Sequence, residues 1–226
     1  MVPTAIQAHI NISGEFGASG SLGIYTPQTQ LNLLVASIPF NAHFLTYSKE
    51  EEEPIGCQTT VLEALGPLVT LAIDPWRFMN TQTVFKIDNM ATCIAYTKGR
   101  AKTAYLASSL VRAARVVAAS INTKLVVQWE RRRSTKASRI ADDLTHNLLK
   151  ECTPQEVQSF LEKNVLTFPP PIQSWITNPA PSSTLGPDLL AWMSQVHGTP
   201  HLSTPVVHPG YTNSGEVPVL SCPCTC

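Results

Sequence analysis

Apolar and polar positions recur in two rhythms along this chain, and the change from one to the other marks its elements. From Ala5 to Ile12 every second residue is apolar, with Ile6, Ala8, Ile10 and Ile12 in phase, so the spacing predicts a first strand with one buried face. The turn Gly14 to Gly23 leads to a second strand through Ile24 and Tyr25. A third runs either from Leu33 to Ile38 or from Ala42 to Leu45, and Lys49-Glu50-Glu51-Glu52-Glu53-Pro54 reads as a solvated loop. The period then lengthens: Val61, Leu62, Leu65, Leu68, Val69 and Ala72 fit a helix capped by Thr59 or Thr60, with Pro67 as a candidate kink. Thr83 to Ile87 is a short apolar strand of the kind buried centrally in a sheet, and Asp88 closes it. A short helix from Asn89 to Thr97 is broken by Lys98-Gly99-Arg100. A longer one, Thr103 to Ile121, carries Leu106, Leu110, Ala113 or Ala114, Val117 and Ile121 as its buried stripe. Lys124 to Trp129 is the last strand and Lys136 to Leu149 the last core helix.

Beyond Lys150 the composition shifts. Thr153-Pro154-Gln155-Glu156 is a capping box opening a helix to about Lys163, Phe168-Pro169-Pro170-Pro171 is a stiff extended stretch, and Pro187 to Met193 suggests one more short helix. From Gly198 onward Pro, Ser, Thr and Gly dominate, which predicts disorder. The expected organisation is therefore an α/β domain over 1–150, a helical, proline-rich extension over 151–197 and a disordered tail over 198–226.

With 226 residues, 43% of them apolar, the chain has material for a real core. Its formal net charge is zero, but eleven of its sixteen Lys and Arg fall between Lys98 and Arg139 against the single acid Glu130. A local excess of that size attracts phosphate whatever the whole-chain sum is. It singles out Lys98, Arg100, Lys102, Arg112, Arg115, Arg131, Arg132, Arg133 and Lys136 as candidate nucleic-acid contacts. The competing reading is a solvated helix face with a charged loop. Cys57, Cys93 and Cys152 are scattered through core elements, where a free thiol packs as a small hydrophobe. Cys222, Cys224 and Cys226 give a Cys-x-Cys-x-Cys ending that lacks an obvious fourth zinc ligand, so a tail is the better account. No segment has the length and apolarity of a membrane span and no basic-then-apolar leader opens the chain, which predicts an intracellular protein of cytosol or nucleus with no membrane partner.

Three acids sit at telling places: Glu63 within the first helix, Asp88 at a strand end and Asp142 on the last core helix. Their surroundings are Thr59-Thr60-Val61-Leu62-Glu63-Ala64, Lys86-Ile87-Asp88-Asn89-Met90-Ala91-Thr92 and Arg139-Ile140-Ala141-Asp142-Asp143-Leu144-Thr145-His146. Together they resemble the ribonuclease H domain of reverse-transcribing retroelements, most nearly retrotransposons of the DIRS group. There, a strand ends in an Asp-Asn pair and a late helix reads roughly Ala-Asp-x-Leu-Ser-Arg. The resemblance covers about Ala5 to Leu149. It implies a ribonuclease H-like fold: a central mixed sheet of five strands flanked by helices, the first three strands antiparallel and the strand ending at Asp88 beside the first. It also implies that Glu63, Asp88 and Asp142 are catalytic and hold Mg2+ or Mn2+, that the substrate is an RNA–DNA hybrid whose RNA strand is hydrolysed, and that any reverse transcriptase is a separate region.

The chain departs from that pattern twice. Where the family has Asp-Ala-Ser at the end of the first strand, this sequence is read as Gly17-Ala18-Ser19, so Gly17 replaces the first catalytic aspartate and activity is expected to be impaired. Glu15, two residues back and about one pleat repeat away, is the substitute metal ligand. After the last strand, Trp129 and Arg131 stand where the family commonly has His and Pro. On the last helix Asp143 points about 100° from Asp142, so one of the two is expected to face the cluster, and the resemblance selects Asp142. Two functions follow: a hybrid-cleaving domain of a retroelement polyprotein, or a decayed or repurposed copy that binds nucleic acid or a protein and cuts nothing. A transposase or integrase of the same superfold fits less well, because its last acid would be a glutamate.

Overall fold

The computed structural model describes residues 5–14, 19–26, 31–39, 55–102, 105–145, 165–166, 168–177 and 184–198. Glu15, Gly17, the run of glutamates at 50–53, the capping box at 153–156 and the tail from 199 on lie outside the described residues.

Among the described residues the chain is an α/β protein built on one six-stranded sheet. Strands β1 (Ala5–Gly14), β2 (Ser19–Thr26) and β3 (Leu31–Pro39) form an antiparallel meander. β4 (Gln82–Ile87) lies parallel to β1, and β5 (Lys124–Trp129) parallel to β4, giving a three-stranded parallel portion flanked by helices. The sheet has one strand more than the five expected: β6 (Val165–Leu166), two residues long, pairs parallel with the outer edge of β3. For the third strand, the first alternative, Leu33 to Ile38, falls within β3, and the second, Ala42 to Leu45, lies outside the described residues.

Helix α1 (Ile55–Ile73) begins before Thr59 and Thr60, so these residues are inside it and not at its cap. Thr60 is buried, and its carbonyl accepts a hydrogen bond from Thr92 Oγ1 at 3.3 Å. Pro67 lies within α1 without ending it. After the single turn α2 (Pro75–Phe78) and β4 comes α3 (Met90–Lys98). Asn89 caps it by accepting from Thr92 N at 2.9 Å, and Gly99 ends it with φ 75°, the left-handed conformation that glycine adopts without steric cost. Helix α4 (Tyr105–Ser120) buries the predicted stripe Leu106, Leu110, Val117 and, just past its end, Ile121.

Ile6, Ala8, Phe85 and Ile87 share one core with these helices. The same core takes in Ile172, Trp175 and Ile176 of α6 (Pro170–Thr177), and Leu185, Leu189 and Met193 of α7 (Leu185–His197). Residues 170–171 were expected to be extended, yet the helix starts at Pro170. Proline has no N–H to lose and suits the first helical turn, where that group would lack an intrahelical acceptor anyway. α7 runs close against α4, since a Cβ at Gly186 would come 3.2 Å from Val116.

The other face is covered by α5 (Lys136–Thr145), which packs on β1 and β2. Its buried Ile140 and Ala141 stand outside the main core, as does Val84, which strand alternation turns away from Phe85. Thr135 and Ser138 cap α5 reciprocally: Ser138 N donates to Thr135 Oγ1 at 3.1 Å and Thr135 N to Ser138 Oγ at 3.0 Å. No helix among the described residues is long and apolar enough to cross a membrane.

Candidate functional site

At the carboxyl ends of β4 and β5 the chain leaves the sheet through Asp88 and Trp129, and the loop after Trp129 returns over α5. Asp88 follows the buried β4 directly, and Glu130 N donates to Ile87 O at 2.8 Å, keeping the two strand ends together. The indole of Trp129, 47% exposed, donates from Nε1 to Asp88 O at 3.0 Å and braces the backbone there.

Asp142 and Asp143 are 4% and 3% exposed, so both are buried, where one alone was expected to face inward. The basic loop resolves the conflict by folding back to meet both. Arg132 reaches Asp142 Oδ1 through Nε at 2.9 Å and Nη2 at 2.7 Å. Arg133 Nη1 donates to Asp142 Oδ2 and, at 2.6 Å, to Asp143 Oδ1. Both oxygens of Asp142 are therefore engaged by guanidinium groups that are themselves roughly half exposed. Arg133 adopts φ 56°, a left-handed conformation that costs a non-glycine residue about 1 kcal/mol or more and persists only where surrounding contacts fix it.

The electrostatics follow from this arrangement. Burial would raise the Asp142 carboxyl, but hydrogen bonds from Arg133 and Arg132 outweigh it and hold the group below the usual carboxylate range. Asp88 goes the other way: burial raises it, Arg132 pulls it down in part, and the charge of Asp142 pushes it up again. Glu63, on α1 and 3% exposed, makes itself felt at Cys93, whose thiol is pushed up to about 12 by burial and then by the Glu63 and Asp88 charges. The three predicted acids thus lie in one electrostatic chain, Glu63 and Asp88 about Cys93 and Asp88 with Asp142. Among the described residues no group of three His, Cys, Asp or Glu side chains gathers closely enough to hold a divalent cation.

The basic residues divide by their contacts. Arg115 Nη2 donates to Tyr96 O at 2.6 Å, satisfying a carbonyl in the last turn of α3, and Arg112 reaches Ser109 Oγ at 3.3 Å on its own helix. Arg132 and Arg133 serve the acids of α5. Lys98, Arg100, Lys102, Arg131 and Lys136 are exposed.

Strand register adds a residue that sequence reading missed. His9 on β1 pairs with Lys86 on β4 as the last pair of that ladder, and the same register carried two residues on would set Asn11 level with Asp88, just past the end of β4. Gly17 lies six residues past that point, beyond the end of β1. The parallel pairing that reveals this is a long-range contact with no signature in the local sequence.

Comparison with protein-family models, with curated proteins and with solved structures finds no match for this chain.

Proposed function

We propose that this chain is a ribonuclease H-like domain of retroelement descent that grips the backbone of an RNA–DNA hybrid, or a related duplex, without cutting it. Descent is supported by the sheet: the first three strands run antiparallel and the strand ending at Asp88 lies beside the first, as the resemblance requires. The observation that carries the non-cleaving half is the bonding of Asp142, whose two oxygens accept from Arg132 and Arg133 and so are already neutralised. The register supports it too. A first-strand carboxylate acting with Asp88 would stand level with it, which makes Asn11-Ile12-Ser13, and not Gly17-Ala18-Ser19, the counterpart of the family's Asp-Ala-Ser. An amide there brings no charge.

In this reading Lys98, Arg100, Lys102, Arg131 and Lys136 supply phosphate contacts, which fix the duplex without reading its sequence. The test is hybrid binding and cleavage by the full chain. Affinity is expected to fall more than about tenfold between roughly 50 and 200 mM salt, and R131A/K136A to weaken hybrid and DNA duplex alike. Magnesium or manganese should yield no cleavage, and Asn11→Asp is a better candidate than Gly17→Asp for restoring any. Cleavage by the unaltered chain at an ordinary enzymatic rate would sink the proposal. Binding that ignores salt, or none at low salt, would replace the nucleic acid with a protein partner.

A further inference from the structure

We infer that Arg132 and Arg133 are built-in counter-ions, filling the acidic end of the sheet in place of a divalent cation and latching the β5–α5 loop onto α5. The inference stands on side-chain contacts and holds whether or not the chain binds nucleic acid.

Two buried aspartates side by side on one helix need positive charge, since an unpaired carboxylate out of water is strongly disfavoured. A metal ion is one solution and a guanidinium another. Here Arg133 bridges Asp142 and Asp143, while Arg132 places two of its N–H groups on the remaining oxygen of Asp142. The planar fork of arginine suits such bridging, and its charge does not depend on pH in the physiological range. The same Arg132 acts on Asp88, so the counter-charge extends from α5 to the end of β4. Asp143 Oδ2 is buried and has no hydrogen-bond partner in the structure, so Arg133 serves one oxygen of that carboxylate. Arg133 also carries a left-handed backbone, uncommon for a non-glycine residue, at the point where its side chain meets the two aspartates.

The consequence is a site that is complete without metal and a loop whose closure depends on the aspartates. Trypsin reads the loop directly, because its sites at Arg131, Arg132, Arg133 and Lys136 are left intact by D142N/D143N. In the full chain this variant is expected to be cut within 131–136 about tenfold faster than the unaltered protein, the change that about 1.4 kcal/mol of lost closure produces. Manganese titration followed by electron paramagnetic resonance should show no saturable site in the unaltered chain up to about 1 mM. An unchanged cleavage rate overturns the inference, and so does a saturable manganese site weakened by D142N. Should D142N/D143N not fold, R132Q/R133Q, still cleavable at Arg131 and Lys136, supplies the same comparison from the other side of the pair.

Discussion

On one face of the sheet Ile6, Ala8, Phe85 and Ile87 meet the helices in a continuous apolar core, while on the other α5 brings Asp142 and Asp143 to two arginines of the preceding loop. The first face is held by many weak, non-directional contacts, so stability there scales with area removed from water. The second rests on a few directional, charge-assisted bonds whose value depends on geometry, pH and salt. Each face therefore answers to a different perturbation, and that is where the contrast can be broken.

The largest effect is expected from Phe85→Ala, which empties a fully buried ring site beside Phe78 and should cost about 3–5 kcal/mol in urea unfolding. That cost should be the same at low and high salt. Asp142→Asn is expected to cost less, about 1–2 kcal/mol once the exposure of the two arginines is discounted, and its cost should shrink towards 1 M salt, a concentration of about one molar where screening is nearly complete. Equal salt responses in the two variants would remove the distinction between the faces.

Acid sharpens it further. Asp142 is depressed in the folded protein, so its contribution is present above the unfolded carboxyl value, about 3.9, and is lost as pH falls through the lower folded value. Asp88, raised by burial, has the opposite sign: its contribution is present below the unfolded value and is lost as pH rises through the folded one. Asp142→Asn should thus flatten the acid limb of the stability curve below about pH 4, and Asp88→Asn should leave a chain that gains relative to the unaltered protein as pH climbs above that value. The smallest effect is expected at Trp129→Phe, which gives up a half-exposed hydrogen bond to Asp88 O and should cost no more than about 1 kcal/mol.

The apolar face was legible in the sequence because its signal is periodic. Leu106, Leu110, Val117 and Ile121 recur at helical spacing and all are buried, and the short stretch Thr83 to Ile87 before Asp88 is an interior strand with Asp88 just past its end. The ionic face was not. Asp142 and Asp143 point about 100° apart on α5, yet both are buried, because the preceding loop wraps the helix there. That loop, Arg131-Arg132-Arg133, has the composition of a solvated cationic surface, and nothing local distinguishes an arginine meant for a phosphate from one meant for a carboxylate ten residues on. The place of Asn11 beside Asp88 is equally invisible, since parallel pairing is set by a partner more than seventy residues away.

Gly99 carries a constraint on how this sequence can drift. A Cβ there would fall 2.5 Å from Nη1 of Arg115, the residue that holds the Tyr96 carbonyl, and the backbone is left-handed as well. A side chain at 99 would push aside the end of Arg115 and carry the left-handed strain as well, while shortening 115 strips the end of α3 of its cation. The two positions are therefore coupled: each change alone is harmful, and the pair is less harmful than their sum because the displaced contact is counted once.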